Sequence, residues 1–136
     1  MEKIIIDTCI FVALFNKSDR YFPKANNFIK NNKNKLLSTT TSVITEVMFL
    51  LDFDINAQIA FLEYMSSGGI KIYDILDSDL LHIAKLMGKY SDLPMDYTDA
   101  TIVNVCEKNK IKSIATIDSD FHIYKYNNKE SFNIVF

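Results

Sequence analysis

Four acidic residues stand out for where they fall in the chain. Asp7 follows the apolar run Ile4-Ile5-Ile6, Glu46 sits inside the apolar stretch from Val43 to Leu51, Asp99 lies in Asp96-Tyr97-Thr98-Asp99-Ala100, and Asp118 follows Ile114-Ala115-Thr116-Ile117. Short apolar runs of this kind read as buried parallel strands, and in open α/β sheets the ligand crevice lies beyond the carboxyl ends of the strands. Carboxylates gathered there repel one another unless cations sit between them. Magnesium and manganese prefer oxygen ligands, and ions held by carboxylates activate water and neutralise charge at a phosphodiester without a nucleophilic side chain. No local nucleophile motif such as Gly-x-Ser-x-Gly competes with that chemistry.

Each acid also has a structural use. Asp is a favoured helix N-cap, and Asp7 stands where a strand hands over to a helix; capping and ligation are compatible at that place. Asp96 and Asp99 are spaced as N-cap and N3 of one helix, both suited to its positive end. Asp96 therefore reads as structural, and Asp99, deeper in the helix, as the ligand. Glu46 is either buried with a partner or on the solvated side of its helix. Asp118 and Asp120 flank a turn, where Asp is ordinary. The four acids carry weight as a set.

The elements that must position this set alternate between strand-like and helix-like segments, the signature of βαβ units around a parallel sheet. Lys3 to Asp7 reads as a strand and Thr8 to Asn16 as a short helix. Pro23 opens a second helix that carries Ala25, Phe28 and Ile29 and ends in Asn31-Asn32-Lys33-Asn34. Leu36 and Leu37 form a brief strand, and hydroxyls of Thr39 to Thr41 cap the helix of Val43, Val47 and Leu51. A further helix spans Ala57 to Met65, Gly68-Gly69 turns the chain, and Ile70 to Ile75 alternates as a strand. Asp77 caps a helix whose apolar stripe is Leu80, Leu81, Ala84 and Leu86. After the break at Pro94 come a helix from about Asp96 to Lys108, a strand from Ser113 to Ile117, a helical turn near Phe121 and a last strand from Phe132 to Val135.

At 136 residues and 49% hydrophobic, the chain is ample for one domain with a real core and short for two, so residues 1–136 are expected to form a single domain. Cys9 and Cys106 lie in apolar stretches and no secretory leader is read, which predicts reduced thiols and a cytoplasmic location. Apolar runs fall far short of the ~20 residues of a membrane-spanning helix. A formal charge of −2 leaves nucleic-acid binding to local patches.

Four stretches in order now carry a resemblance: Ile5-Ile6-Asp7-Thr8, Thr45-Glu46-Val47, Pro94-Met95-Asp96-Tyr97-Thr98-Asp99-Ala100, and Thr116-Ile117-Asp118-Ser119-Asp120-Phe121. Over nearly its whole length the chain resembles the PIN-domain ribonucleases, and most of all the VapC-like toxins of bacterial toxin–antitoxin systems. The resemblance implies a three-layer α/β/α fold with a central five-stranded parallel sheet. It also implies a Mg²⁺-dependent endoribonuclease, with Mn²⁺ as the alternative ion. Asp7, Glu46, Asp99 and Asp118 match the family's acidic quartet: Asp7 and Asp99 as principal metal ligands, Asp118 completing the cluster, Glu46 ligating directly or through water. Thr8 and Thr116 match hydroxyls that orient the acids, while Asp120 matches a less constant acid whose role stays open. The implied partners are an RNA substrate, a small cognate antitoxin and a second copy of the chain in a homodimer.

Only one arginine, Arg20, is present, so lysines are the candidates for holding phosphates: Lys24, Lys30, Lys33 and Lys35 around the second helix, and Lys108, Lys110 and Lys112 at the end of the later one. A solvated surface is the stronger reading for both groups, as core packing is for Tyr21 and Phe22. His82 and His122 stand alone, without a catalytic assignment. Two other functions fit the gathered acids less well: a phosphoacceptor domain of the receiver type, which would lack a use for Glu46, and a noncatalytic PIN-like scaffold.

Overall fold

Ile4, Ile5 and Ile6 expose no surface at all in the computed structural model, which describes residues 1–136. A strand without a polar face must be covered on both sides, and β1 (Lys3–Ile6) is the central strand of a five-stranded parallel sheet ordered β3-β2-β1-β4-β7. Its neighbours are β2 (Leu36–Thr40) and β4 (Ser113–Ala115), with Ile5 opposite Ser38 on one side and Ile114 on the other. β3 (Lys71–Tyr73) and β7 (Asn133–Ile134) form the edges.

Helices α1 (Thr8–Leu14) and α2 (Phe22–Asn31) connect β1 to β2, and α3 (Thr41–Leu50) and α4 (Ile55–Ser66) connect β2 to β3. The chain then crosses back over the sheet to β4 through α5 (Leu80–Lys89) and α6 (Tyr97–Asn109). Right-handed crossovers place helices on opposite faces when the direction of travel reverses, which yields three layers, α/β/α. Helix α1 packs on α2 and α3, and α5 packs on α6. The reversal falls between β1 and β4, so the residues that follow these two strands flank the switch point where such sheets bind ligands. This order also removes the receiver-type reading, whose sheet runs 2-1-3-4-5.

Local chemistry fixes the ends of these elements. Thr40 Oγ1 accepts from the Val43 amide at 3.3 Å and starts α3, and Asp54 accepts from Asn56 at 2.9 Å and starts α4 two residues earlier than the apolar pattern indicates. Strands β3 and β4 are shorter than expected, because the chain turns toward the next helix once the parallel ladder ends.

Helix α5 departs from expectation. Its buried residues are Ile83 and Leu86, with Tyr90 just beyond, while Leu80, Leu81 and Ala84 face outward. The helix is rotated because Asp79, at its start, is itself buried: it accepts from the Leu76 amide at 2.8 Å and pairs with Lys108 of α6 at 2.8 Å. The antiparallel pair β5 (Lys125–Tyr126) and β6 (Glu130–Ser131) was absent from the sequence reading. Its turn places Asn127 and Asn128 at φ of 50° and 63°, the left-handed region that Asn tolerates well.

Candidate functional site

Asp7 is held at the sheet's carboxyl end by the ladder itself. Its amide donates to Ala115 O of β4 at 3.0 Å, and its carboxylate accepts from the Thr8 amide and from Thr116 Oγ1, each at 2.7 Å. Thr116 in turn accepts from the Asp118 amide at 2.9 Å, so one hydroxyl links the acids that follow β1 and β4. Asp118 caps a short 3₁₀ turn (Ser119–His122) by accepting from the Asp120 amide at 2.9 Å.

Helix α6 brings in the third acid. Asp96 is its N-cap and accepts from the Asp99 amide at 2.8 Å, as expected of a structural acid. Buried Tyr124 donates to Asp99 Oδ2 at 3.3 Å. Glu46 comes from α3, half-buried beside the fully buried Val43 and Val47. Helices α3 and α6 are tied at their starts by Thr40 and Thr101, whose hydroxyls lie 3.1 Å apart.

All four predicted acids line one cavity of about 300 Å³ at the switch point, together with Thr8, Cys9, Asp19 and Asp96. Asp120 is not among its walls. Asp19 is an acid that sequence reasoning missed: it sits in a polar loop where it also accepts from the Tyr21 amide at 2.8 Å, an ordinary turn signal. Tyr124 was missed as well, since nothing in its local sequence marks it as a partner of Asp99.

The electrostatics follow from burial. Desolvation pushes Asp7 up to about 6, with the charges of Asp118 and Glu46 adding to it and the Thr116 and Thr8 hydrogen bonds opposing. Asp99 rises to about 8, again chiefly from burial, then from Asp96, Asp7 and Asp118. Cys9 is pushed up to about 12 by burial and by Asp7, so its thiol stays protonated and is no nucleophile. Both cysteines are free.

In kind, these donors fit a hard divalent cation: they are carboxylate oxygens lining one cavity, and the buried Thr8 Oγ1 beside them has no hydrogen-bond partner. No three of them close to the spacing of a ready-made metal site. A cation held among them would offset the repulsion between these like charges.

The lysine groups lie elsewhere. Lys30, Lys33 and Lys35 lead from α2 into β2, and Lys108, Lys110 and Lys112 lead from α6 into β4, so both sit at the amino end of the sheet, opposite the acids. Lys35, Lys108 and Lys112 are already paired with Glu2, Asp79 and Glu130. Lys24 lies over the Phe136 ring and Tyr21 packs on the core. His82 contacts Glu107 at 2.7 Å, also remote from the acids, and His122 lies exposed at the end of the 3₁₀ turn.

The fold is similar to that of Mycobacterium tuberculosis VapC20, a toxin that cleaves the Sarcin-Ricin loop, with a TM-score of 0.81 at 20% identity over 90% of this chain and 95% of that one. It is also similar to VapBC2 from Rickettsia felis, solved bound to a DNA fragment from its promoter, with a TM-score of 0.69 at 12% identity over 98% and 97% of the two chains. A search of curated proteins gives no match. The family model described as PIN domain matches residues 4–126, a span that includes every wall of the acidic cavity, and the chain belongs to that family.

Proposed function

We propose that the chain, acting as one domain over residues 1–136, is a metal-dependent endoribonuclease and the toxin of a toxin–antitoxin pair. The observation that carries this reading is the meeting of Asp7, Glu46, Asp99 and Asp118, from four separate segments, on one cavity at the switch point of the sheet. The likeness in fold to a toxin that cleaves the Sarcin-Ricin loop and to VapBC2 supports it.

Asp7, Asp99, Asp118 and Glu46 would hold Mg²⁺ or Mn²⁺. An ion bound there supplies an activated water and neutralises charge on the phosphodiester. Thr116 fixes the Asp7 carboxylate in place and Tyr124 orients that of Asp99, while Thr8 lines the same cavity with its hydroxyl buried and unpartnered. Raised carboxyl pKa values mean that the acids bind a cation in competition with protons, so activity is lost on acidification.

A cognate antitoxin and a second copy of the chain are the proposed protein partners. Ile55, Ile59 and Leu62 form an exposed apolar row along α4, with exposed Phe53 just before it, a surface of the kind that partners cover. No helix is long and apolar enough to cross a membrane, in keeping with action in the cytoplasm.

The test is cleavage of total cellular RNA by purified protein with Mg²⁺ or Mn²⁺, against EDTA and the Asp7→Asn variant. Discrete fragments that vanish in both controls are expected. Cleavage that survives in either control overturns the metal mechanism, and no cleavage with any ion favours the noncatalytic scaffold.

A further inference from the structure

A second and larger cleft, of about 660 Å³, opens beside the acidic cavity between α3 and the start of α6. Glu46 and Leu50 line both, so the two adjoin. Most of the exposed lining of the new cleft is apolar, and Glu46 is its only charged residue. A phosphate would be repelled there, whereas a flat uncharged group would not.

Two aromatic side chains provide such a group with a surface. Phe49 is 63% exposed and Tyr97 43% exposed, in a chain whose Phe11, Phe61, Phe121 and Tyr124 are fully buried. Phe49 lies one helical turn beyond Glu46, on the face of α3 that also carries Thr45 and Ser42. Tyr97 opens α6 two residues before Asp99. Phe49 thus stands about 4.5 Å along the α3 axis from Glu46, and Tyr97 about 3 Å along the α6 axis from Asp99 on a different face of that helix, which sets both rings beside the acidic cavity rather than in it.

We infer that the cleft between α3 and α6 is a nucleobase subsite, in which Phe49 and Tyr97 stack on the base next to the phosphate held at the acidic cavity. The inference rests on the ribonuclease reading above and names its substrate class. A base can enter only when it is unpaired, so the substrate is a single strand or a loop, and duplex RNA is excluded. Stacking accepts every base, so this subsite supplies affinity for an unpaired nucleotide and leaves base identity to other contacts. Ser42, Thr45 and Thr98 also line the cleft, and Thr45 Oγ1 donates to Thr41 O at 3.3 Å.

The experiment uses a fluorescent single-stranded oligoribonucleotide with Mn²⁺, and a series in which each nucleotide in turn is abasic. Substrate cut by the wild type is expected to show one abasic position beside the cleaved bond that raises KM about five- to a hundredfold. Tyr97→Ala and Phe49→Ala should raise KM by a similar factor, more than they lower kcat, while Tyr97→Phe keeps the wild-type KM. Combining Tyr97→Ala with the abasic substrate should cost no more than either change alone. Leu81→Ala, exposed and remote, controls for loss of apolar surface.

Wild-type KM in both alanine variants, or penalties that multiply when combined, overturns the subsite. So does a change of solution mass in the alanine variants while the abasic penalty persists, which assigns the face to a protein partner. Failure of the wild type to cut any RNA with any ion is a separate outcome, which removes the ribonuclease reading and the subsite with it.

Discussion

Thr8 and Asp7 show how much a single side chain reveals at this site. An unpartnered buried hydroxyl costs stability, and its removal by an isosteric apolar group is neutral or stabilising. Thr8→Val should accordingly melt at or above the wild-type temperature while cleaving RNA on the order of tenfold more slowly or worse. A variant that cuts at the wild-type rate would assign the hydroxyl no task. Asp7→Asn and Asp99→Asn should each reduce cleavage by about 10²- to 10³-fold with the fold intact by circular dichroism. Wild-type cleavage by either purified variant would exclude that residue from the proposed metal site.

At the level of elements, the start of α6 combines capping with function. Asp96 caps the helix and also adds to the charge that raises Asp99. The two roles separate by substitution, because Asn caps a helix about as well as Asp but carries no charge. Asp96→Ala should cost about 1 kcal/mol in denaturant unfolding, and Asp96→Asn much less. Asp96→Asn should also shift the pH dependence of cleavage toward acid, since Asp99 then ionises at lower pH. A pH profile identical to wild type would mean that the two acids do not couple.

For the molecule as a whole, the buried acids set stability against pH. Asp7 titrates near 6 in the folded chain against 3.8 ordinarily, and Asp99 near 8. A carboxyl raised on folding adds no penalty below its ordinary pKa, and the penalty is complete once pH exceeds the folded value. The metal-free protein should thus lose stability as pH climbs from about 4 to about 8. Asp7 accounts for up to about 3 kcal/mol of this, and Asp99 for less than its shift implies because it is partly exposed. In thermal melts with EDTA, Asp99→Asn should flatten the upper part of that decline, and saturating Mn²⁺ should restore stability to the wild type. A pH-independent Tm from 4 to 8 would contradict the buried-charge account. The homodimer proposal predicts a solution mass about twice the 15.7 kDa of the chain, lowered to the single-chain mass if Ile59→Asp disrupts that contact. A single-chain mass for the wild type would remove the homodimer.

Periodicity and turn chemistry are local, and so the order of most strands and helices was legible in the sequence: the all-apolar run of Ile4 to Ile6 read as a buried strand, and caps at Thr39 to Thr41 and at Asp96 could be read from their neighbours alone. The acids Asp7, Glu46, Asp99 and Asp118 stood out there as candidates, because Asp7 and Asp118 end apolar runs, Glu46 interrupts one and Asp99 lies one turn inside its helix. The rotation of α5 was hidden, since it depends on Asp79 reaching Lys108 from 29 residues away, a pairing that no local pattern encodes. Asp19 and Tyr124 were hidden for the same reason, being polar or aromatic residues in unremarkable surroundings until the chain folds around the cavity. By itself the sequence determined most of the elements and which residues were candidates for chemistry. Only the tertiary structure decided which of those residues meet, because their meeting depends on strand order and crossover direction, which bring Asp7 and Asp118 together across 111 positions of chain.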